Sequence, residues 1–426
     1  MTAFIFIISL FAAMALGMPI AFALIASGIA LMVHMSNFDA QIVAQNMVNG
    51  SDSFVLLAVP FFILSGNLMD AGGVSKRIVG FASAVVGHKR GGLGYVCVFA
   101  GIILASVSGS AIADTAALAT MLLPLMVQYG YNKERSAGLI ASSGIIGPII
   151  PPSLPFIVFG VTANLSITKL FIAGIVPGLM MGVGLILTWW ILSRNDRTLP
   201  VSEAKSFKDI WAAFRQAVWA LMLPVVIVGG LKFGIFTPSE TGAVVAFLSL
   251  FIGLFVYREL KPSMLYDVFL RTAKTTSVVL FLVAAALVAS WLITVADVGG
   301  DIGRALEPLL SRPLLLMLCI NIVLLFVGMV MDLVPSVLIL TPIFMPLIKQ
   351  AGIDPIYFGL IFIMNLTIGL ITPPVGTVLN VVCGASQMTM TRVIRGIWPF
   401  LISNLIVLIL LILFPSLVLV PLRWLL

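Results

Sequence analysis

Apolar residues run along this chain in long blocks, near 3–33, 52–70, 91–127, 137–163, 171–193, 217–231, 241–257, 275–296, 313–348, 359–383 and 398–422, parted by short polar turns. Unbroken blocks of this kind predict helices; a membrane barrel would alternate polar and apolar residues instead. A helix needs about 20 apolar residues to cross the hydrocarbon, and backbone groups in lipid must be paired within the segment. The pattern predicts an all-α polytopic membrane protein. Residues 1–33 lack a basic start and a small-residue cleavage site, so they read as a retained first span and not as a signal peptide.

Two blocks do not fit a single plain crossing. In 91–127 each arm around Ser108-Gly109-Ser110 has only about 16 to 17 residues, short for a full span. A re-entrant hairpin over 91–130, with its tip near mid-membrane, is predicted. In 137–163 the run Gly147-Pro148-Ile149-Ile150-Pro151-Pro152-Ser153 forbids continuous helix hydrogen bonding. This block is predicted to be two half-helices joined by extended chain. The same pair recurs as a hairpin over 313–348, with a tip from Gly328 to Ser336, and a broken helix over 359–383, interrupted from Gly369 to Thr377.

The recurrence has a fixed offset of 222 residues. Pro124, Gly130, Gly147, Pro151, Pro152, Gly174 and Pro177 return as Pro346, Gly352, Gly369, Pro373, Pro374, Gly396 and Pro399. Leu118, Leu125, Gln128, Ala163 and Ile175 also return, as Leu340, Leu347, Gln350, Ala385 and Ile397. Most of these identities are helix breakers. Duplicated breaks inside apolar segments are the mark of a transporter built from repeats, whereas a plain duplicated bundle would have no need to keep them.

Charge orients the blocks. Of the 426 residues 61% are hydrophobic and 9% charged, against about 25% charged in soluble domains. The net charge of +7 comes from basic residues in short loops, which reads as a topology signal and not as a nucleic-acid surface. His88, Lys89 and Arg90 before the first hairpin, with Lys133 and Arg135 after it, place both of its ends in the cytoplasm. Following the crossings from there puts the second hairpin on the opposite side, so the two copies have opposite topology, as inverted repeats require. Residues 1–193 then form the first repeat and 217–426 the second. Residues 194–216, with Trp211, Phe214 and Trp219 among or beside their charges, form an amphipathic cytoplasmic linker.

The breaks carry the candidate chemistry. Small residues free backbone carbonyls, and carbonyls with hydroxyls suit a hard, oxygen-liganded cation such as sodium. The positive end of a half-helix can face an anionic substrate group. The first cation site is assigned to Ser106, Ser108, Gly109, Ser110, Gly147 and Ile150, and the second to Gly328, Asp332, Gly369, Thr372 and Gly376. Ser153, Pro335 and Thr377 are placed in the substrate cleft between the tips. At the shared offset Ser110 matches Asp332 and Ile150 matches Thr372, so the two sites need not be equivalent. Carboxylates at membrane depth are functional by default: Asp332 either ligates the cation or hydrogen-bonds the opposite tip, while Asp114, past its tip, is expected to pack on the broken helix. No cofactor beyond the coupling ion is expected.

Other features are assigned structural roles. Thr237-Pro238-Ser239-Glu240 is a helix start with a capping box. Asp70-Ala71-Gly72-Gly73 and Asp297-Val298-Gly299-Gly300 read as span-ending turns. Arg304 and Arg312 sit at flanks and read as surface charges, with pairing to a substrate carboxylate as the alternative. Cys97, Cys319 and Cys383 lie in apolar stretches and read as inert thiols. His34 and His88 both lie near segment ends, out of reach of a serine at mid-membrane, so the chain is read as no enzyme. A channel-like permease without ion coupling remains the alternative; it would show neither counter-flow nor saturation.

At these motifs the chain resembles the large membrane subunit of tripartite ATP-independent periplasmic (TRAP) transporters, the DctM type. The resemblance rests on Val59-Pro-Phe-Phe-Ile-Leu-Ser-Gly66-Asn67, Ser108-Gly-Ser-Ala-Ile-Ala-Asp114, Gly147-Pro-Ile-Ile-Pro-Pro152, Gly234-Ile-Phe-Thr-Pro-Ser-Glu240 and Thr372-Pro-Pro-Val-Gly376. It implies a multi-pass protein of the bacterial inner membrane, a sodium-driven symporter importing organic anions by an elevator mechanism. It also implies two partners, a small four-helix membrane subunit of DctQ type and a periplasmic solute-binding protein of DctP type. Within the family, residues Gln45–Phe54 and Gly87–Tyr95 are most similar to the 2,3-diketo-L-gulonate systems. The sialic acid systems often carry the small subunit fused to the large one. No four-span extension precedes residue 1, so the small subunit is expected as a separate chain.

Overall fold

The computed structural model describes residues 2–36, 38–196, 199, 205–297, 300 and 309–425. Its helices are α1 (Thr2–Ala15), α2 (Ile20–His34), α3 (Ala40–Ser51), α4 (Ala58–Ala71), α5 (Val74–Val86), α6 (Gly92–Ser108), α7 (Ala111–Gln128), α8 (Lys133–Gly144), α9 (Leu154–Ala163) and α10 (Ile167–Ser193). After the connector follow α11 (Phe207–Lys232), α12 (Pro238–Phe251), α13 (Pro262–Val295), α14 (Pro313–Val330), α15 (Leu333–Gln350), α16 (Pro355–Gly369), α17 (Thr377–Ser386), α18 (Met390–Leu413) and α19 (Ser416–Leu425). No strand occurs among the described residues, and nine of their helical segments are long and apolar enough to cross a membrane.

The two hairpins and the two broken helices stand where the breakers predict them. α7 and α15 are each 18 residues long and start 222 positions apart. Each contains the repeated proline, Pro124 or Pro346, and the turn after each is closed by a left-handed glycine, Gly130 at φ 79° or Gly352 at φ 68°. After the breaks the ungapped register needs correcting. The caps Ser153, Asn164 and Ser166 correspond to Gly376, Gln387 and Thr389, which are 223 positions away. Val375 lengthens the second break by one residue before Gly376 starts α17.

Three boundary expectations also change. The first block is not one span: Gly17 at φ 82°, followed by Pro19, ends α1 and folds it against α2. α3 starts inside a stretch with no apolar block because the Asp39 carboxylate accepts the Gln41 amide, capping it. The connector is shorter than 194–216. Ser206 and Asp209 form a capping box, so Lys208, Trp211, Phe214 and Arg215 ride on the first turns of α11. Arg197 and Glu203 of that connector, Val298 and Gly299 of the second Gly-Gly turn, and Arg304 lie outside the described residues. Arg312 stands at the start of α14. The Thr237–Glu240 capping box forms, with the Thr237 amide 2.8 Å from Glu240 Oε2.

The helices pack in two groups. α2, α3 and α4 lie along the 34-residue α13, α12 packs on α4, and α11 on α5. The second group interleaves the repeats. α7 packs on α8 of its own copy and on α17 of the other, while α15 packs on α16 of its own copy and on α9 of the other. Each hairpin is thereby seated on one half of each broken helix. α10 and α18 follow α9 and α17 and pack on each other. Where α8 meets α18, Gly138 and Gly396 bring the backbones together with no room for a Cβ on either side.

Candidate functional site

The first tip is a turn between two helix ends. Gly109 takes φ 64°, and the Pro152 carbonyl lies where a Cβ would stand, so only glycine lets hairpin and break meet. Ser110 caps α7, its hydroxyl accepting the Ala113 amide at 3.4 Å. Ser108 Oγ donates to Asp114 Oδ1 at 2.5 Å and accepts the Ser110 amide at 3.2 Å. Gly147 of the break lies against Ser110 and the Asp114 carboxylate, again without space for a Cβ. Asp114 thus packs on the broken helix as expected, 2% exposed.

Hydrogen bonding at this seam is incomplete. Asp114 Oδ2, Thr115 Oγ1 and Ser142 Oγ are buried on α7 and α8 with no partner. Gly144 of α8 comes directly against the Thr115 hydroxyl. Buried oxygens without donors are expensive, and hydroxyl and carboxylate oxygens of this kind are what a small hard cation takes.

The tip opens on a cavity of about 510 Å³, within the range of about 300–1,000 Å³ usual for small-molecule sites. Ser108, Gly109, Ser110, Ala113, Asp114, Thr120, Pro152 and Leu154 form one wall. The opposite wall belongs to the other helix group: Phe62, Gly66, Asn67 and Asp70 of α4, Ser75 of α5 and Thr275 of α13. The N-termini of α7 and α9 converge on this space, and α9 is capped by Ser153, whose hydroxyl donates to the Pro148 carbonyl and accepts the Phe156 amide. Among the described lining residues the charged side chains are two carboxylates, Asp70 and Asp114; none is Lys or Arg.

The second copy is built from backbone. Gly328 of α14 meets Gly369 of α16 with no space for a Cβ on either, and the Gly376 amide donates to the Met329 carbonyl at 3.2 Å. Asp332 occupies the cap position of α15 and is exposed. It makes no capping bond and no hydrogen bond to the first tip. Ser336 donates to the Asp332 carbonyl at 2.8 Å. The Thr372 hydroxyl, in the break, donates back to the Ile368 carbonyl of α16 at 2.8 Å, Pro335 is buried, and Thr377 Oγ1 is buried without a partner.

Ser108, Gly109, Ser110 and Gly147 are thus brought together around Asp114, and Gly328, Gly369 and Gly376 around the second break. Ser106 satisfies the Ile103 carbonyl of its own helix, and the Ile150 side chain packs on Gly178 of α10. None of the second set lines the cavity, which lies between the first tip and α4 and α13 and not between the two tips. Asn67, Asp70 and Thr275 were not assigned to the site from the sequence. Asp70 carried the available signal, a carboxylate at the end of an apolar block, but its Gly-Gly neighbours read as a turn.

The fold is that of a known membrane transporter. The structure of the Alcanivorax borkumensis YdaH transporter matches with a TM-score of 0.68, covering 89% of this chain and 90% of that one at 15% identity. The chain belongs to the DctM component family of tripartite ATP-independent periplasmic transporters, whose sequence model matches residues 7–417. It is 53% identical to the 2,3-diketo-L-gulonate TRAP transporter large permease protein of Escherichia coli K12 over 424 residues, the full length of both. It is 40% identical to the C4-dicarboxylate TRAP transporter large permease protein of Pseudomonas aeruginosa (88% of each chain) and 37% identical to the sialic acid TRAP transporter large permease protein of Vibrio cholerae (94% of this chain, 93% of that one). It is a TRAP transporter large permease, a multi-pass protein of the inner membrane.

Proposed function

We propose that the chain is the large subunit of a sodium-coupled, binding-protein-dependent secondary transporter that imports a small organic anion, a sugar acid or dicarboxylate. The observation that carries this reading is the charge of the first cavity. A site for an anion whose charged lining groups are carboxylates needs a cation bound with the substrate. Asp114, which lines that cavity with Oδ2 orphaned, and the orphaned Thr115 Oγ1 and Ser142 Oγ of α7 and α8 are oxygens of the kind such an ion takes. The substrate carboxylate then takes the amide-rich starts of α7 and α9. Sodium is also assigned to the second break, where Asp332, Thr372 and the glycine-lined carbonyls are available.

Transport follows from the two helix groups. The group carrying hairpins and broken helices slides as an elevator against the scaffold of α1–α5 and α11–α13, and the cavity at their boundary alternately opens to each side. The repeats are oppositely oriented in the membrane. A small membrane subunit and a periplasmic binding protein complete the system. Relatives named for diketogulonate, sialic acid and C4-dicarboxylates support an organic acid as the substrate.

The test is uptake into proteoliposomes holding the large and small subunits, with the binding protein outside and a panel of sugar acids and dicarboxylates. Uptake should follow an imposed sodium gradient and show counter-flow, and Ser108→Ala should lower it in a protein that still folds. Uptake that persists without a sodium gradient would overturn ion coupling, and linear uptake without counter-flow would leave the channel.

A further inference from the structure

Two kinds of wall face each other across the first cavity. The tip wall offers helix N-termini and amides. The scaffold wall offers acceptors. Asn67 Nδ2 is committed to Thr272 Oγ1 at 2.9 Å, itself bonded to the Val268 carbonyl, so the amide is held with Oδ1 unbonded. Asp70 adds an exposed carboxylate at the end of α4, and Thr275 adds a hydroxyl with no partner. Arg271, one turn before Thr275 on α13, acts electrostatically on Asp70 without lining the cavity.

Such a polarity sorts ligands by their far end. The carboxylate end of a substrate belongs at the tip. A hydroxylated tail pointing at the scaffold donates to Asn67 Oδ1 and Asp70. A second carboxylate there meets the Asp70 charge, and like-charge juxtaposition is costly.

We propose that Asn67, Asp70 and Thr275 form the specificity-determining wall, reading the hydroxylated tail of a monocarboxylate sugar acid and excluding dicarboxylates. This rests on the cavity being the substrate site.

The experiment measures sodium-dependent binding to the purified large and small subunits, without the binding protein, using gluconate and succinate as probes. Wild type should bind gluconate in preference to succinate. Asp70→Asn should move the gluconate-to-succinate ratio toward succinate by about tenfold, the size of one removed like-charge contact. Asp70→Glu should keep the wild-type ratio. Combining Asp70→Asn with Arg271→Gln should abolish the succinate gain, an outcome that general loosening of the fold would not produce. A ratio unmoved by Asp70→Asn, in protein that still binds gluconate, overturns this inference alone. Wild type that binds neither probe in sodium overturns the cavity assignment with it.

Discussion

The two copies share a frame and differ in how they close it. In the first, α6 and α7 pack closely on each other, the tip is tied by Ser108, Ser110 and Asp114, and a cavity opens beside it. In the second, α14 and α15 touch only sparingly and α14 leans on α16 through Gly328 and Gly369, while Asp332 stands exposed at the tip. Duplication kept the breaks and let the polar side chains diverge. A proline or glycine acts through the backbone and keeps its effect wherever the copy lies, whereas a serine or aspartate acts only where a partner faces it.

The largest effect expected from breaking this contrast is at Gly109. Its positive φ and the Pro152 carbonyl both oppose a side chain, so Gly109→Val should cost about 4 kcal/mol from left-handed strain plus overpacking, read as a fall in melting temperature of the purified subunit. Gly369→Val has only the overpacking against Gly328, at most about 3 kcal/mol. Equal losses at both positions would remove the distinction.

Next comes the carboxylate pair. Asp114→Ala should raise the sodium concentration for half-maximal uptake by about 10–100-fold, as loss of a metal-site group does. Asp332→Ala should raise it less, because an exposed carboxylate attracts a cation through high dielectric. The reverse order, read from sodium titrations of uptake, would place the tighter site in the second copy.

The smallest effect lies in the seams between hairpin and broken helix. Asn365 Nδ2 bonds the Asn321 carbonyl and side chain at 2.8 and 2.6 Å, and the matching position in the first copy, Ser143, meets only Cys97 Sγ at 3.6 Å. Asn365→Ala should cost about 1–2 kcal/mol and Ser143→Ala under about 1 kcal/mol, compared by thermal unfolding in detergent.

The helices, the two hairpins and the two interruptions follow from the sequence because lipid leaves the backbone no other way to satisfy itself, and Gly-Pro runs remove that way locally. The repeat was legible for the same reason, and so was the family through its motifs. Position in space was not. That Ile150 turns to Gly178 and that the cavity takes its far wall from Asn67, Asp70 and Thr275 are consequences of which helices pack together. Asn67 and Thr275 lie more than 200 residues apart and carry no shared local pattern. Only tertiary packing, driven by contact between apolar helix faces and blind to the polar groups it juxtaposes, set them across from Ser108.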